Sequence, residues 1–332
     1  MKSANHAHTE SRNTVLQSAR SQFLKLATDA LSEQVKRPEV MSFFHEPTNT
    51  VSHVVGDPTT RSCCVIDSVL DFDAASGRAK TDSADGLIAF IQNQGLEVEW
   101  ILETHVHADH LSAAPYLKKR LGGRLGIGEN IRVVQEMFGK VFNAGIEFVC
   151  DGSQFDRLFT DGQRFTVGEL DAIALHTPGH TPDSVTYVIG DAAFIGDTLF
   201  MPDYGTARVD FPGGDARTLY RSIRRVLSLP GATRLFLCHD YRGPGRGEYH
   251  WETTVAAQRA GNVHVNDGVS EDEFVRMRTA RDAQLDMPKL ILPSVQVNMR
   301  GGNFPPAEAN GQTYLKIPVN QLYPAQGTSN LN

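Results

Sequence analysis

Thr104-His105-Val106-His107-Ala108-Asp109-His110 places three histidines and an aspartate within six consecutive residues. The apolar run before it, Val98-Glu99-Trp100-Ile101-Leu102, reads as a buried strand, and Ser112 to Leu121 after it reads as a helix. The cluster therefore sits on a strand-to-helix connection, where a rigid scaffold commonly carries function. Imidazoles and a carboxylate packed this closely lose solvation and repel each other's protons unless a cation satisfies them. A His-rich polar loop is the plainer alternative, and the rest of the chain argues against it.

Three further strand ends carry residues of the same kind. Leu175-His176-Thr177-Pro178-Gly179-His180-Thr181 follows an apolar run, and Pro178-Gly179 turns the chain so that His180 can point back over a sheet edge. Phe194-Ile195-Gly196-Asp197-Thr198 offers a carboxylate after a glycine. Phe236-Leu237-Cys238-His239-Asp240-Tyr241 ends a third apolar strand in a histidine. One histidine at a strand end is commonplace; four such segments in this order are specific to a metal site.

Around them the chain reads as strands separated by helices. Thr50 to Val55 and Cys63 to Asp67, split by Gly56-Asp57-Pro58, predict a hairpin. Asp71 to Asp82 reads as a polar loop. Asp85 to Gln94 has a helical pattern closed by Gly95. A strand is expected over Arg124 to Ile127 and a helix over Asn130 to Val141. Four strands are expected over Gln163–Val167, Ala172–His176, Val185–Ile189 and Ala193–Ile195. Ala216 to Leu227 reads as a helix and Arg234 to Cys238 as a strand. This alternation implies a layered α/β fold. Val15, Ala19, Phe23, Ala27 and Leu31 predict a helix from Thr14 to Val35, ended by Pro38. Residues 1–40 are expected to form a partly helical N-terminal extension, and residues 41–332 one domain with a Pro/Gly/Asn-rich tail from Met299.

Composition narrows the function classes. The 332 residues are 40% hydrophobic and 21% charged, ample for one large core. A net charge of −7 gives no electrostatic case for nucleic acid. No apolar run approaches the ~20 residues of a membrane span or the core of a secretory signal. Cys63, Cys64, Cys150 and Cys238 form no CxxC pair, which fits small buried side chains in a reducing cytoplasm.

The order HxHxDH, HTPGH, GD, CHD resembles the metallo-β-lactamase superfamily from about residue 43 to 260. The resemblance implies an αββα sandwich with a metal site at one edge of the two sheets. By that likeness His105, His107 and His180 match one metal position, Asp109, His110 and His239 a second, and Asp197 the bridging carboxylate. The segment Met201 to Gly214, with Arg208-Val209-Asp210-Phe211, then Thr218-Leu219-Tyr220 and His239-Asp240-Tyr241, resembles the persulfide dioxygenases within it. So do Glu273-Phe274, Met287-Pro288-Lys289 and Asn298-Met299-Arg300. The likeness is strongest to the bacterial branch called β-lactamase-like hydrolases.

That resemblance implies one Fe(II) per chain on His105, His180 and Asp197, the facial triad of non-haem iron oxygenases. His107, Asp109, His110 and His239 would then orient those ligands. The implied reaction takes glutathione persulfide, O2 and water to sulfite and glutathione, with Tyr241 beside the iron and Arg208 and Asp210 bracing the loop. The family's Asn-Pro-Arg, whose arginine meets the glutathione, is replaced by Asn262-Val263-His264, leaving His264 and Arg259 as carrier contacts. The family's cysteine after Asn-Met-Arg is also absent, since Gly301 follows. Spacing alone favours two metals, zinc or iron. The alternative is thus a glyoxalase II-like dinuclear hydrolase of glutathione thioesters. A metal-scaffolded sensing module is the alternative outside enzymes. Homo-oligomerisation is compatible with either.

Overall fold

The computed structural model describes residues 36–322, so the helix expected over residues 14–35 lies outside the described residues. The first half contains β1 (Glu39–His45), β2 (Thr50–Gly56), β3 (Ser62–Ile66), β4 (Val69–Asp73), β5 (Arg78–Lys80), β6 (Glu97–Leu102), β7 (Leu111–Ser112), β8 (Arg124–Gly128) and β9 (Arg157–Phe159). The second half adds β10 (Gln163–Val167), β11 (Leu170–His176), β12 (Val185–Ile189), β13 (Ala192–Phe194), β14 (Arg234–Phe236) and β15 (Glu252–Thr254). The helices are α1 (Asp82–Gln94), α2 (Ala114–Leu121), α3 (Ile131–Val141), α4 (Ala216–Val226), α5 (Val255–Gly261), α6 (Glu271–Asp282) and α7 (Ile291–Asn298).

Strand sequences alternate between two buried faces, and this produces the layers. In β3, Cys63 and Val65 face one core while Cys64 and Ile66 face another; in β6, Val98 and Ile101 oppose Trp100 and Leu102. In β13 and β14, Phe194 and Phe236 face inward, while Ala193 and Leu235 face a third core. Successive side chains on a strand point to opposite faces, so an unbroken apolar run requires cover on both sides. The two six-stranded sheets, β1-β2-β3-β6-β8-β9 and β10-β11-β12-β13-β14-β15, enclose the middle core. Helices α1, α2, α3 and α7 cover the first sheet, and α4 and α6 the second. This is the expected αββα sandwich.

Local signals set the helix ends. α1 buries Ala84, Leu87, Ile88 and Ile91 on one face and stops at Gly95 in the left-handed region (φ 63°). Asp215 caps α4 by accepting from Thr218 N at 2.7 Å. Ser270 and Glu273 form a capping box on α6.

Three expectations are corrected. Asp71 to Asp82 is not a plain loop: β4 and β5 pair antiparallel as a hairpin, and α1 starts at Asp82. Leu111 and Ser112 pair with β4 as β7, so the following helix begins only at Ala114. Helices α5 to α7 follow β15, outside the helices expected; α6 has few apolar residues, and α5 and α7 are only 7 and 8 residues long, too short for a period to show. β1 begins at Glu39, next to the boundary expected near residue 40.

Candidate metal centre

The strand ends predicted to carry ligands meet at one edge of the sandwich. His105, His180 and Asp197 form one group of buried donor atoms within 4.8 Å of one another; His107, Asp109 and His110 form another. Asp197, Cys238 and His239 form a third, and Asp67, His107 and Cys238 a fourth. Two glycines make this convergence possible. Gly179 has φ 137°, and a Cβ there would run into the Leu219 backbone of α4. Gly196 has φ 49°, and a Cβ there would strike Thr104 of the histidine loop.

Each histidine uses one ring nitrogen on the protein and aims the other at the centre. His180 Nδ1 donates to the Arg208 carbonyl at 2.7 Å, and His239 Nδ1 to the Asn49 carbonyl at 3.1 Å. Thr104 Oγ1 donates to Asp67 Oδ2 (2.8 Å), so it accepts from His105 Nδ1 at 3.0 Å. His107 Nε2 donates to Asp67 Oδ1 at 3.0 Å. His110 Nδ1 lies 3.4 Å from Thr50 Oγ1, a long contact. What remains is buried and without a hydrogen-bond partner: His105 Nε2, His107 Nδ1, His110 Nε2, His239 Nε2 and Asp197 Oδ1. Orphaned buried polar atoms are costly and rare, and five of them on residues of the neighbouring donor groups fit a bound cation. Imidazole with carboxylate suits zinc or iron.

Electrostatics divide the imidazoles of the site. Burial, with His107 and His180 adding to it, holds the His105 imidazole well below its ordinary range, so it is neutral as a ligand must be. Burial would raise the Asp109 carboxyl, but His239 and His110 outweigh it and hold it well below the usual range. His107 Nε2 also faces Glu103 Oε2 at 3.4 Å. Burial opposes charge on that ring, but Asp67, Cys238 and Glu103 together hold it well above its ordinary value.

The rest of the cavity is built on braced loops. Tyr241 is 36% exposed and stacks on His239 with ring centroids 5.5 Å apart; Tyr204 and Phe200 lie at 5.1 and 5.6 Å from it. Burial, then Asp109 and Asp197, push the Tyr241 phenol well above its ordinary value, so it stays protonated. Arg246 bridges the two loops that carry these tyrosines. It donates to Asp203 Oδ2 at 2.7 Å and to the buried Asp240 Oδ1 at 2.7 Å. Arg208 makes a fork–fork pair with Asp210 (2.6 and 2.7 Å) while its carbonyl holds His180.

The carrier contacts expected at Arg259 and His264 are corrected, since neither lines the cavity. Arg259 is tied to Asp267 on the surface at 2.9 Å. His264 Nδ1 accepts from Thr206 N at 3.1 Å, and burial, followed by Arg278 and Arg281, lowers the ring to about 4. Arg259 lies in the last turn of α5 and His264 just beyond its end, and sequence spacing does not reveal which way either faces.

Sequence reading also missed the roles of three residues. Asp67, in the left-handed region at φ 53°, orients His107 directly and His105 through Thr104. Asn298 Nδ2 donates to the carbonyls of His107 (2.9 Å) and His110 (2.7 Å). Cys238 was read as packing, yet its sulfur sits among the donors. An aspartate directly after the apolar run Cys63 to Ile66 was the one available signal.

Known proteins bear on this geometry. The metallo-beta-lactamase superfamily pattern matches residues 45–239. A probable metallo-hydrolase of Burkholderia pseudomallei is 58% identical over 293 residues, 85% of this chain and 99% of that protein. Glyoxylase B2 of Dictyostelium discoideum is 51% identical, covering 81% of this chain and 92% of its own. The mitochondrial persulfide dioxygenase ETHE1 of Homo sapiens is 29% identical, covering 80% and 89%. The crystal structure of ETHE1 from Myxococcus xanthus superposes with a TM-score of 0.63 at 29% identity, over 80% of this chain and 100% of that one. With a histidine-and-aspartate centre at the edge of an αββα sandwich and a family pattern spanning more than half its length, this chain belongs to the metallo-β-lactamase superfamily.

Proposed function

We propose that the chain is a persulfide dioxygenase of the cytoplasm with one iron held by His105, His180 and Asp197. Its reaction takes glutathione persulfide, O2 and water to sulfite and glutathione. The observation that carries this reading is the group of two imidazoles and one carboxylate within 4.8 Å. Iron, when bound on such a face, leaves positions open for a persulfide sulfur and O2. The chain's own residues do the remainder. The Arg208 carbonyl and Thr104 hydroxyl fix the ligand rings. Tyr241, Tyr204 and Phe200 wall the site against water, and the protonated Tyr241 phenol is a hydrogen-bond donor at the cavity side.

A second reading is a dinuclear hydrolase of glutathione thioesters. It is favoured by the additional donor group of His107, Asp109 and His110 and by the names of the more similar relatives. Metal analysis of freshly purified protein, run beside oxygen uptake with glutathione persulfide, separates them. About one iron per chain with oxygen consumption is expected. Two metals per chain with thioester cleavage and no oxygen uptake would replace the first reading with the second.

A further inference from the structure

The cavity at the metal centre has a volume of about 810 Å³, large for the few atoms that react and suited to a peptide-sized carrier. Its lining includes four cationic side chains from separate parts of the chain: Arg78 and Lys80 come from the β4–β5 hairpin, Arg281 from the end of α6 and Lys289 from the segment before α7. All four are exposed, and among the described residues none forms an ion pair.

The neighbouring carboxylates do not consume these cations. Asp71 accepts from Ser83 N and Oγ at 2.9 and 2.8 Å, and Asp73 from Ala75 N and Ser76 Oγ at 3.0 and 2.7 Å. Arg78 acts on Asp73 only at longer range. In a chain of net charge −7, four cations without an ion pair gather along this cavity, and the remaining carboxylates outside the metal centre, Asp82 and Asp286, lie within ion-pair distance of none of them.

We propose that these two pairs form a carboxylate-binding rim for the thiol carrier. Arg78 and Lys80 hold one carboxylate of the carrier, and Arg281 and Lys289 the other. This places the reacting sulfur toward His180 and Asp197. The rim replaces the contact that Arg259 and His264 do not make. The inference rests on the proposed use of a glutathione-type substrate, a peptide thiol with two carboxylates. The hairpin residues are the specificity element, because β5 is fully exposed and has no core to serve.

The test uses the metal-loaded full chain and S-methylglutathione, which has both carboxylates but cannot carry a persulfide. Calorimetric titration is run on the parent and on two double variants, R78E/K80E and R281E/K289E. Charge-assisted contacts predict that each double variant weakens binding about tenfold or more, with metal content unchanged. The corresponding glutamine variants should fall in between and guard against misfolding by the reversed charges. Parent-like affinity in either double variant, or no binding by the parent, overturns the rim. Oxygen uptake separates this result from the proposed reaction. Carrier binding that responds to the variants without oxygen uptake keeps the rim and removes the dioxygenase reading. Oxygen uptake whose KM ignores the variants removes the rim and keeps the reaction.

Discussion

Two sets of buried histidines in this molecule do opposite things. His53, on β2 beside the inter-sheet aromatics, has both ring nitrogens in use: Nε2 donates to the Leu237 carbonyl at 3.0 Å, and Nδ1 accepts from Ser42 Oγ at 2.9 Å. His105, His107, His110 and His239 are as deeply buried, yet each leaves one nitrogen without a partner. Burial is common to both sets, so burial does not mark a ligand. The orphaned atoms of the second set mark the metal edge, where a group outside the polypeptide can complete them, but they do not by themselves separate a ligand from a histidine that orients one.

The strongest way to break this contrast is to remove the carboxylate shared by the site. Asp197→Ala takes away the group 3.5 Å from His180 Nε2 and 3.4 Å from His239 Nε2, and should abolish bound metal. His53→Gln should retain it. Elemental analysis of both variants decides, and metal retained by Asp197→Ala would erase the distinction.

His239→Ala sharpens it within the site. With one iron, the variant keeps its metal and loses turnover by roughly tenfold or more, as expected for a group that orients ligands. Metal loss equal to that of Asp197→Ala would make His239 a ligand.

The non-ligand histidine makes a prediction about pH. Burial lowers His53 from 6.5 to about 4, although the Leu237 carbonyl and Asp67 pull the other way. The folded ring stays neutral while the unfolded chain takes up a proton, so stability falls as pH drops from 6.5 to about 4 and levels off below that. The contribution is on the order of 3 kcal/mol across the window. Urea midpoints of the parent and His53→Gln at several pH values measure it. Equal slopes would show that His53 does not carry the effect.

The smallest expected effect is at Arg246, which braces the aromatic wall rather than the metal. Arg246→Lys keeps the charge but cannot fork between Asp203 and Asp240, so KM should rise by about threefold with kcat and metal content little changed. Near-UV dichroism should report loosened tyrosines. A fall in kcat with unchanged KM would instead place Arg246 in the chemistry.

Much of this was legible in the sequence because the signals are local. The β6 strand and the histidine loop are contiguous, and the nearly unbroken apolar runs at residues 63–66 and 98–102 encode strands covered on both faces. The β4–β5 hairpin was not legible, since Arg78–Lys80 has no buried face to give a pattern. α6 was hidden for a related reason: among its residues it buries Phe274, Arg278 and Asp282, and two of these are charged.

By itself, the sequence determined the metal-type residues, their order, and the layered α/β architecture that brings strand ends to one edge. Only the tertiary structure decided which nitrogen of each imidazole is free and that Asp67 and Asn298 hold the histidine loop. It also took Arg259 and His264 away from the cavity. The reason is physical: residue type and spacing report what a side chain can do. Which atom is satisfied depends on partners up to 191 positions away, as with Asn298 and His107, and only the packed chain brings these together.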